Sequence, residues 1–355
     1  MFKAIDLFCG GGGLTEGLKQ ANFEVISAVE NNISAAETFK ANNRKCHLFQ
    51  EDIRFISSQE IMDKVGIKSG ELSLLAGCPP CQGFSSLTKN YNPKDKRNSL
   101  ISEVSRLVKG LMPKAIMIEN VPGLMTKGSD FLDNFINDLQ SLGYKVDYKV
   151  LQVADYGVPQ DRKRFVLLAG HGFTIKIPEA THSRDGRDGT LPWNTVKMAF
   201  EGLDAPVPHI EAVKNGGPRL FNWHVIRTLT PINIERLKHV KPGGPRYDIP
   251  DHLRPDCHKG KNKGYSNVYG RMDFNSVSPT ITCGCTVLSK GRFGHPTELR
   301  TISVREAARL QTFPDHFDIA TSFIDDACRI IGNALPCEFA KIMSNACYEA
   351  LINKD

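Results

Sequence analysis

The chain has 355 residues, 41% of them hydrophobic and 24% charged, with 45 Lys and Arg against 39 Asp and Glu for a formal net charge of +6. That balance excludes a disordered chain, a fibre and a disulfide-dense mini-protein, and the length predicts about two domains with a sizeable core. Apolar runs such as Ala115–Ile118 and Phe165–Ala169 are far shorter than a membrane span. The N-terminus leads straight into strand-like residues and lacks the charged-then-apolar layout of a signal peptide, so a cytoplasmic protein is expected.

The first 170 residues alternate short apolar runs with helix-period segments. Strands are predicted at Lys3–Phe8, Glu24–Glu30, His47–Gln50, Leu72–Ala76, Ala115–Glu119, Lys145–Leu151 and Arg164–Ala169, with helices near 14–21, 33–42, 58–65, 99–110 and 130–141. This alternation predicts an α/β fold, a doubly wound and mostly parallel sheet whose ligands bind beyond the carboxyl ends of the strands. After His171 the periodicity fades. Ten of the 20 prolines fall between Pro178 and Pro255, which reads as a separate loop-rich module. Order returns at Ser303-Val304-Arg305-Glu306, a capping box opening a helix through Gln311 that Pro314 stops, and a last helix is predicted over Cys337–Leu351.

The charge excess has a location. Residues 224–263 hold nine Lys or Arg against four Asp or Glu, together with His224, His239, His252 and His258. A local basic excess suits a polyanion-facing surface, and a solvated face explains it equally well at this point. The ten cysteines form no repeating framework, so free thiols are expected. Cys283-Gly284-Cys285 has the wrong spacing for a zinc knuckle and Cys78-Pro79-Pro80-Cys81 encloses two prolines, so no structural metal is expected.

Four stretches carry chemistry. Asp6-Leu7-Phe8-Cys9 ends the first strand and runs into Gly10-Gly11-Gly12-Gly13, where a ligand could approach the backbone and a helix N-terminus closely. Glu30, 20 residues beyond Gly10 at the end of the second strand, stands where a carboxylate accepts ribose hydroxyls. These two features alone fit a dinucleotide as well as S-adenosylmethionine. The fourth strand runs into Gly77-Cys78-Pro79-Pro80-Cys81-Gln82-Gly83-Phe84-Ser85, in which two prolines stiffen the backbone and present Cys81 at the ligand edge as a candidate thiolate nucleophile. The polar stretch from there to Leu100 has the composition of a closing loop. Glu119 follows four apolar residues at the end of the fifth strand, a partly desolvated setting that suits proton donation. Arg162 and Arg164, two apart in Gln160-Asp161-Arg162-Lys163-Arg164, would face the same side of an extended segment and could support one site together.

Taken in order, Phe8-Cys9-Gly10-Gly11-Gly12, the Gly77–Ser85 stretch, Glu119-Asn120-Val121, Gln160-x-Arg162-x-Arg164, Arg305–Gln311 and Gly332-Asn333-Ala334-Leu335-Pro336 resemble the motifs of the DNA (cytosine-5)-methyltransferase family of bacterial type, over essentially the whole chain except roughly 173–270. The resemblance implies an S-adenosylmethionine pocket lined by Phe8, Gly10, Gly12, Glu30, Asp52, Ile53 and Gly77, with Asn333 returning to it and Asp52 accepting from the adenine amino group. It implies Cys81 as nucleophile, Glu119 as the acid beside the base, Arg162 and Arg164 as supports, and Pro80 offering its carbonyl to the cytosine amino group. A catalytic domain is expected over 1–172 and 318–355, interrupted by a target-recognition domain and hinge over 173–317. Gln82, Ser85, Arg97, Arg227 and Lys241 are the expected contacts to double-stranded DNA, with His224 and Trp223 as further candidates, although Trp223 could equally be core. A monomer, accompanied by a separately acting restriction endonuclease where one exists, completes the expectation.

Three rival readings fit the sequence less well. A tRNA cytosine methyltransferase of the same superfamily would carry a different tail after Pro-Pro-Cys-Gln and a Cys-Phe-Thr signature, which this sequence lacks. A catalytically dead DNA-binding scaffold would be expected to lose Cys81 or Glu119, and both are present. A nicotinamide-dependent dehydrogenase would explain the glycine loop but gives Cys81 and Glu119 no role.

Overall fold

The computed structural model describes residues 1–80, 100–260 and 266–354. The chain divides into two units, one comprising Met1–Tyr156, Lys163–Thr181 and Leu335–Asp355, the other Gly157–Arg162 and His182–Ala334.

The first unit is an α/β sheet layer. In chain order it contains β1 (Phe2–Leu7), α1 (Gly13–Gln20), β2 (Phe23–Val29), α2 (Ile33–Asn42), β3 (His47–Phe49), a 3-10 turn (Ile53–Phe55), α3 (Ser58–Val65), β4 (Leu74–Gly77), α4 (Leu100–Leu111), β5 (Ala115–Asn120), α5 (Ser129–Ser141), β6 (Tyr144–Gln152) and β7 (Lys163–His171). The strands lie in the order β3-β2-β1-β4-β5-β7-β6. β1 to β5 pair in parallel, whereas β7 runs antiparallel to both β5 and β6. β1, β4 and β5 are the central strands, and Ile5, Leu75, Ile116 and Ile118 are fully buried among side chains of the covering helices, as a parallel sheet with two covered faces requires. Asn32 caps α2 and Ser57 caps α3, each accepting a backbone N–H of the first turn. The C-terminal helix, Cys337–Ile352, approaches α1 so closely that a Cβ on Gly17 would stand 2.4 Å from the Ala340 Cβ.

The second unit is mostly loops and short helices: α6 (Val196–Phe200), α7 (His209–Lys214), α8 (Pro231–His239), α9 (Val304–Leu310) and α10 (Ile324–Asn333). Two-residue ladders join His182–Ser183 to Leu191–Pro192 and Val207–Pro208 to Val225–Ile226. The capping box is present: Ser303 accepts from Glu306 N while the Glu306 side chain accepts from Ser303 N. Trp223 is buried and its indole N–H donates to the Ile319 carbonyl at 2.8 Å, so this residue serves the core of the unit. His224 holds Ser303 Oγ at 2.8 Å through one ring nitrogen and the Asp204 carbonyl at 2.7 Å through the other.

The units part at other residues than the expected 172/173 and 317/318. Residues 318–334 fall in the second unit because α10 packs on α9, and residues 157–162 join it because Gln160 and Arg162 are bonded into it.

Candidate active site

The carboxyl ends of β1 to β5 are followed by the candidate site residues. Just past β1, Phe8, Gly10 and Gly12 all have positive φ, at 60°, 55° and 106°. A Cβ on Gly10 would meet nothing within 4 Å, whereas one on Gly12 would press on Asn43 and Phe39 at 3.3 Å. The loop is therefore open at Gly10 and closely backed at Gly12, the form of a cradle for a ligand lying against the backbone. Glu30, beyond β2, accepts from Gly10 N at 2.9 Å and Asn32 N at 2.7 Å. Burial pushes its carboxyl up, against the opposing pull of those N–H donors. Beneath the loop lies Asp6, fully buried, with Thr15 Oγ1 donating to Oδ2 at 2.6 Å and Oδ1 without a partner. Burial holds the Asp6 carboxyl up at about 7, offset in part by the Thr15 hydrogen bond. A buried, unsatisfied acceptor below a glycine cradle and a carboxylate at the next strand end fit a ligand carrying an ammonium group and ribose hydroxyls.

Asp52 caps the Ile53–Phe55 turn: its Oδ1 accepts from Arg54 N at 3.0 Å and Arg54 Nε at 2.9 Å. Ile53 points its side chain into the core, so only its backbone is offered to a ligand. Gly77 lies in β4, where a Cβ would stand 3.0 Å from the Leu7 carbonyl oxygen, so the close packing of β1 explains this glycine. Beyond it, Cys78 N donates to that carbonyl at 3.2 Å. Burial, reinforced by Glu119 and Asp6, raises the Cys78 thiol well above the usual range, which leaves it a poor nucleophile. The described residues stop at Pro80; Cys81, Gln82, Ser85, Arg97 and the stretch read as a closing loop lie outside them.

At the end of β5, Glu119 is buried and Arg164 Nε, from β7, stands 2.6 Å from its Oε1. Burial lowers the Arg164 guanidinium and the Glu119 charge partly restores it. The antiparallel register, which sets Glu119 opposite Val166, brings these two side chains together. The neighbouring Asn120 donates through Nδ2 to the Pro79 carbonyl at 3.0 Å, while its Oδ1 accepts from Val121 N at 2.8 Å. Asn120 thus ties the Pro79-Pro80 backbone to the end of β5. Its place in Glu119-Asn120-Val121 was the available signal, and the reading singled out only the carboxylate.

Arg162 does something else. In the second unit it is buried, and its guanidinium donates to the carbonyls of Ile281 at 3.0 Å, Gly332 at 3.5 Å and Ala334 at 3.2 Å. Gln160 accepts from Ile281 N at 2.9 Å and donates to Gln311 Oε1 at 2.7 Å, and Gln311 donates onward to Ile331 and Ala334. The expectation that Arg162 and Arg164 share one site is corrected: Arg164 holds a carboxylate, whereas Arg162 joins a buried network of main-chain carbonyls. Asn333, at the end of α10, accepts from the Cys283 thiol at 3.1 Å.

The basic segment also differs from its charge count. Arg236 donates to the Leu253 carbonyl at 2.7 Å; Arg254 donates to those of Ile249 at 2.8 Å and Tyr247 at 2.9 Å. Arg246 is buried against the ring of Tyr247, and Arg227 bonds Thr286 Oγ1 at 3.0 Å and the Asp325 carboxylate. Lys241, by contrast, is exposed. Among the described residues, no helix is long and apolar enough to cross a membrane.

Comparison with known proteins agrees with the arrangement. The C-5 cytosine-specific DNA methylase family matches residues 2–349. The type II methylase M.HgiDII of Herpetosiphon aurantiacus is 36% identical over 353 residues, covering 96% of this chain and 94% of that protein. The type II methyltransferase M1.BsuMI of Bacillus subtilis is 30% identical, covering 96% of this chain and 78% of its own. Among solved structures, one described as a DNA modification methyltransferase encoded within an E. coli prophage superposes with a TM-score of 0.74 at 25% identity, covering 99% of this chain and all of that one. The S. pombe Dnmt2 methyltransferase shares the fold, with a TM-score of 0.65 at 16% identity. The chain belongs to the C-5 cytosine-specific DNA methylase family and methylates DNA at carbon 5 of cytosine.

Proposed function

We propose that the protein flips a target cytosine out of duplex DNA and attacks it with Cys81, with Glu119 acting on the ring. The observation that carries this reading is the Glu119–Arg164 pair at the end of β5, beside the backbone tie from Asn120 to Pro79 that anchors the strand end leading to Cys81. Carbon 5 of cytosine is a weak nucleophile. Addition of the Cys81 thiolate to carbon 6, with Glu119 protonating or hydrogen-bonding ring nitrogen 3, turns carbon 5 into an enamine carbon that takes the methyl group. Arg164 holds the Glu119 carboxylate in place, and the Pro80 carbonyl accepts from the cytosine amino group. A base then removes the carbon 5 proton, the electron pair re-forms the 5,6 double bond, Cys81 leaves as thiolate, and any proton taken up by nitrogen 3 returns to Glu119. Stacked in the duplex, the base cannot enter such a pocket, so it is extruded at a cost of a few kcal/mol that pocket contacts offset.

S-adenosylmethionine, when bound, supplies the methyl group from its sulfonium centre. Glu30 would hold its ribose, Asp52 and the Ile53 backbone its adenine, and the Phe8–Gly12 loop its amino-acid end. Residues of the second unit would read the target sequence, with Lys241 facing DNA, joined by Gln82, Ser85 and Arg97 from the stretch after Pro80, whereas Arg227 is held within its own unit by Thr286 and Asp325. The protein would act as a monomer on the bacterial chromosome in the cytoplasm, protecting sites from a separate restriction endonuclease where one accompanies it. Transfer of tritiated methyl groups to bacterial genomic DNA, followed by bisulfite sequencing, tests the reading. Cys81→Ala is expected to abolish transfer while retaining DNA binding; appreciable transfer by that variant would refute the nucleophile assignment.

A further inference from the structure

The adenine turn is held from a distance by an arginine that the catalytic reading does not use. Arg106, in the middle of α4, donates through Nη2 to the carbonyl of Ile53 at 2.8 Å, 53 residues earlier in the chain. Its Nε is fixed by Glu103, one turn back, at 2.7 Å. The Ile53 carbonyl also accepts the turn's own closing bond from Ile56 N, but at 3.3 Å, so the charge-assisted bond from Arg106 is the shorter of the two. The Ile53 side chain is anchored in the core and its carbonyl is anchored by Arg106, so the residue that follows Asp52 is held through both side chain and backbone. The Asp52 carboxylate is oriented within the same three residues, by Arg54 N and Nε. The orientation of the Asp52–Ile53 backbone therefore depends on a side chain supplied by α4, outside the turn itself.

We propose that Arg106 is a positioning residue for the cofactor: by fixing the Ile53 carbonyl it holds Asp52 and the Ile53 backbone in the geometry that receives the adenine ring. The proposal rests on the reading of Asp52 and Ile53 as adenine contacts. The Arg106 side chain is 40% exposed, so an unbranched apolar replacement can keep the buried part of its stem filled.

Calorimetric titration of the full-length protein with S-adenosylhomocysteine tests it. Arg106→Met, which keeps an unbranched apolar stem and removes the donors, is expected to weaken binding about five- to twenty-fold, and Arg106→Lys, which keeps a charged donor, to recover part of the loss. KM for S-adenosylmethionine should rise by the same factor while kcat at saturating cofactor stays within about two-fold, and DNA affinity without cofactor should not change. Asp52→Ala separates the two levels of the argument. If Asp52→Ala loses affinity and Arg106→Met does not, the positioning role is overturned and the adenine reading stands. If Asp52→Ala binds normally, the adenine reading fails and the proposal with it. A parallel fall of DNA affinity and thermal midpoint in Arg106→Met would show a merely structural role and equally overturn the proposal.

Discussion

In residues 1–171 the chemistry-bearing side chains follow the sheet, whereas in residues 224–260 they follow the loops. Phe8, Glu30, Pro80 and Glu119 each lie at or just beyond the carboxyl end of a strand, and the parallel pairing of β1, β2, β4 and β5 brings those ends to one edge. In the basic segment the arginines Arg236, Arg246 and Arg254 turn toward carbonyls or an aromatic ring of their own unit. A segment with few regular hydrogen bonds leaves main-chain carbonyls to be satisfied, and a guanidinium with five donors satisfies them well. A charged side chain thus means different things in the two regions: residues bound to a periodic scaffold have their placement set by that scaffold, while charges in irregular chain are consumed by the chain itself.

The largest expected break in this comparison is at the strand-end pair. Arg164→Ala would leave Glu119 buried without its cation, costing about 3 kcal/mol of stability, and should lower methyl transfer about 100-fold or more. Denaturant unfolding and methyl-transfer kinetics on the same preparation check both. A near-normal rate would mean that Arg164 does not support the acid.

Next is Asp6. Its folded value of about 7 lies above the ordinary 3.8, so the native state binds more protons than the unfolded chain between those values. Its contribution to stability is present below about pH 4 and is lost as the pH rises through about 7, at up to ~1.4 kcal/mol per pH unit. Asp6→Asn, which mimics the protonated form, should flatten the dependence of the thermal midpoint on pH between 5 and 8. An unchanged slope would show that Asp6 does not titrate in this range.

The smallest effects sharpen the loop region. Arg254→Ala strands two carbonyls and should cost about 2 kcal/mol by denaturant unfolding. Lys241→Ala should leave stability within about 0.5 kcal/mol, weaken DNA binding, and reduce the slope of log K against log salt by about one. If Arg254→Ala altered the salt slope as Lys241→Ala does, the division between structural arginines and DNA-facing lysines would fail.

The scaffold was largely legible in the sequence because its signals are local. Apolar β-branched runs mark all seven strands of the main sheet to within two residues, and the Ser303–Glu306 box marks a helix start. What escaped depends on distant partners. The reversal of β7 leaves no trace in its apolar pattern, yet it sets Arg164 on Glu119. α10 starts at Ile324 behind Phe323, which supplies no capping side chain, and the sequence analysis predicts no helix there; the apolar spacing of Ile324, Ala327, Cys328 and Ile331 is its one local signal. The alternation of Arg162 and Arg164 was read as a shared face, but their partners, carbonyls at 281, 332 and 334 for one and a carboxylate at 119 for the other, lie far away in sequence.

The central claim, that Cys81 is the nucleophile and Cys78 only a neighbour, is tested most directly by trapping. Fluorine at carbon 5 blocks the final elimination, so duplex DNA carrying 5-fluorocytosine at a site shown by bisulfite sequencing to be methylated should form a stable covalent complex in the presence of S-adenosylmethionine. The account predicts a single DNA-linked peptide containing residues 78–81, with the adduct on Cys81 and abolished by Cys81→Ala. An adduct on Cys78, or no complex with a confirmed target, would contradict it.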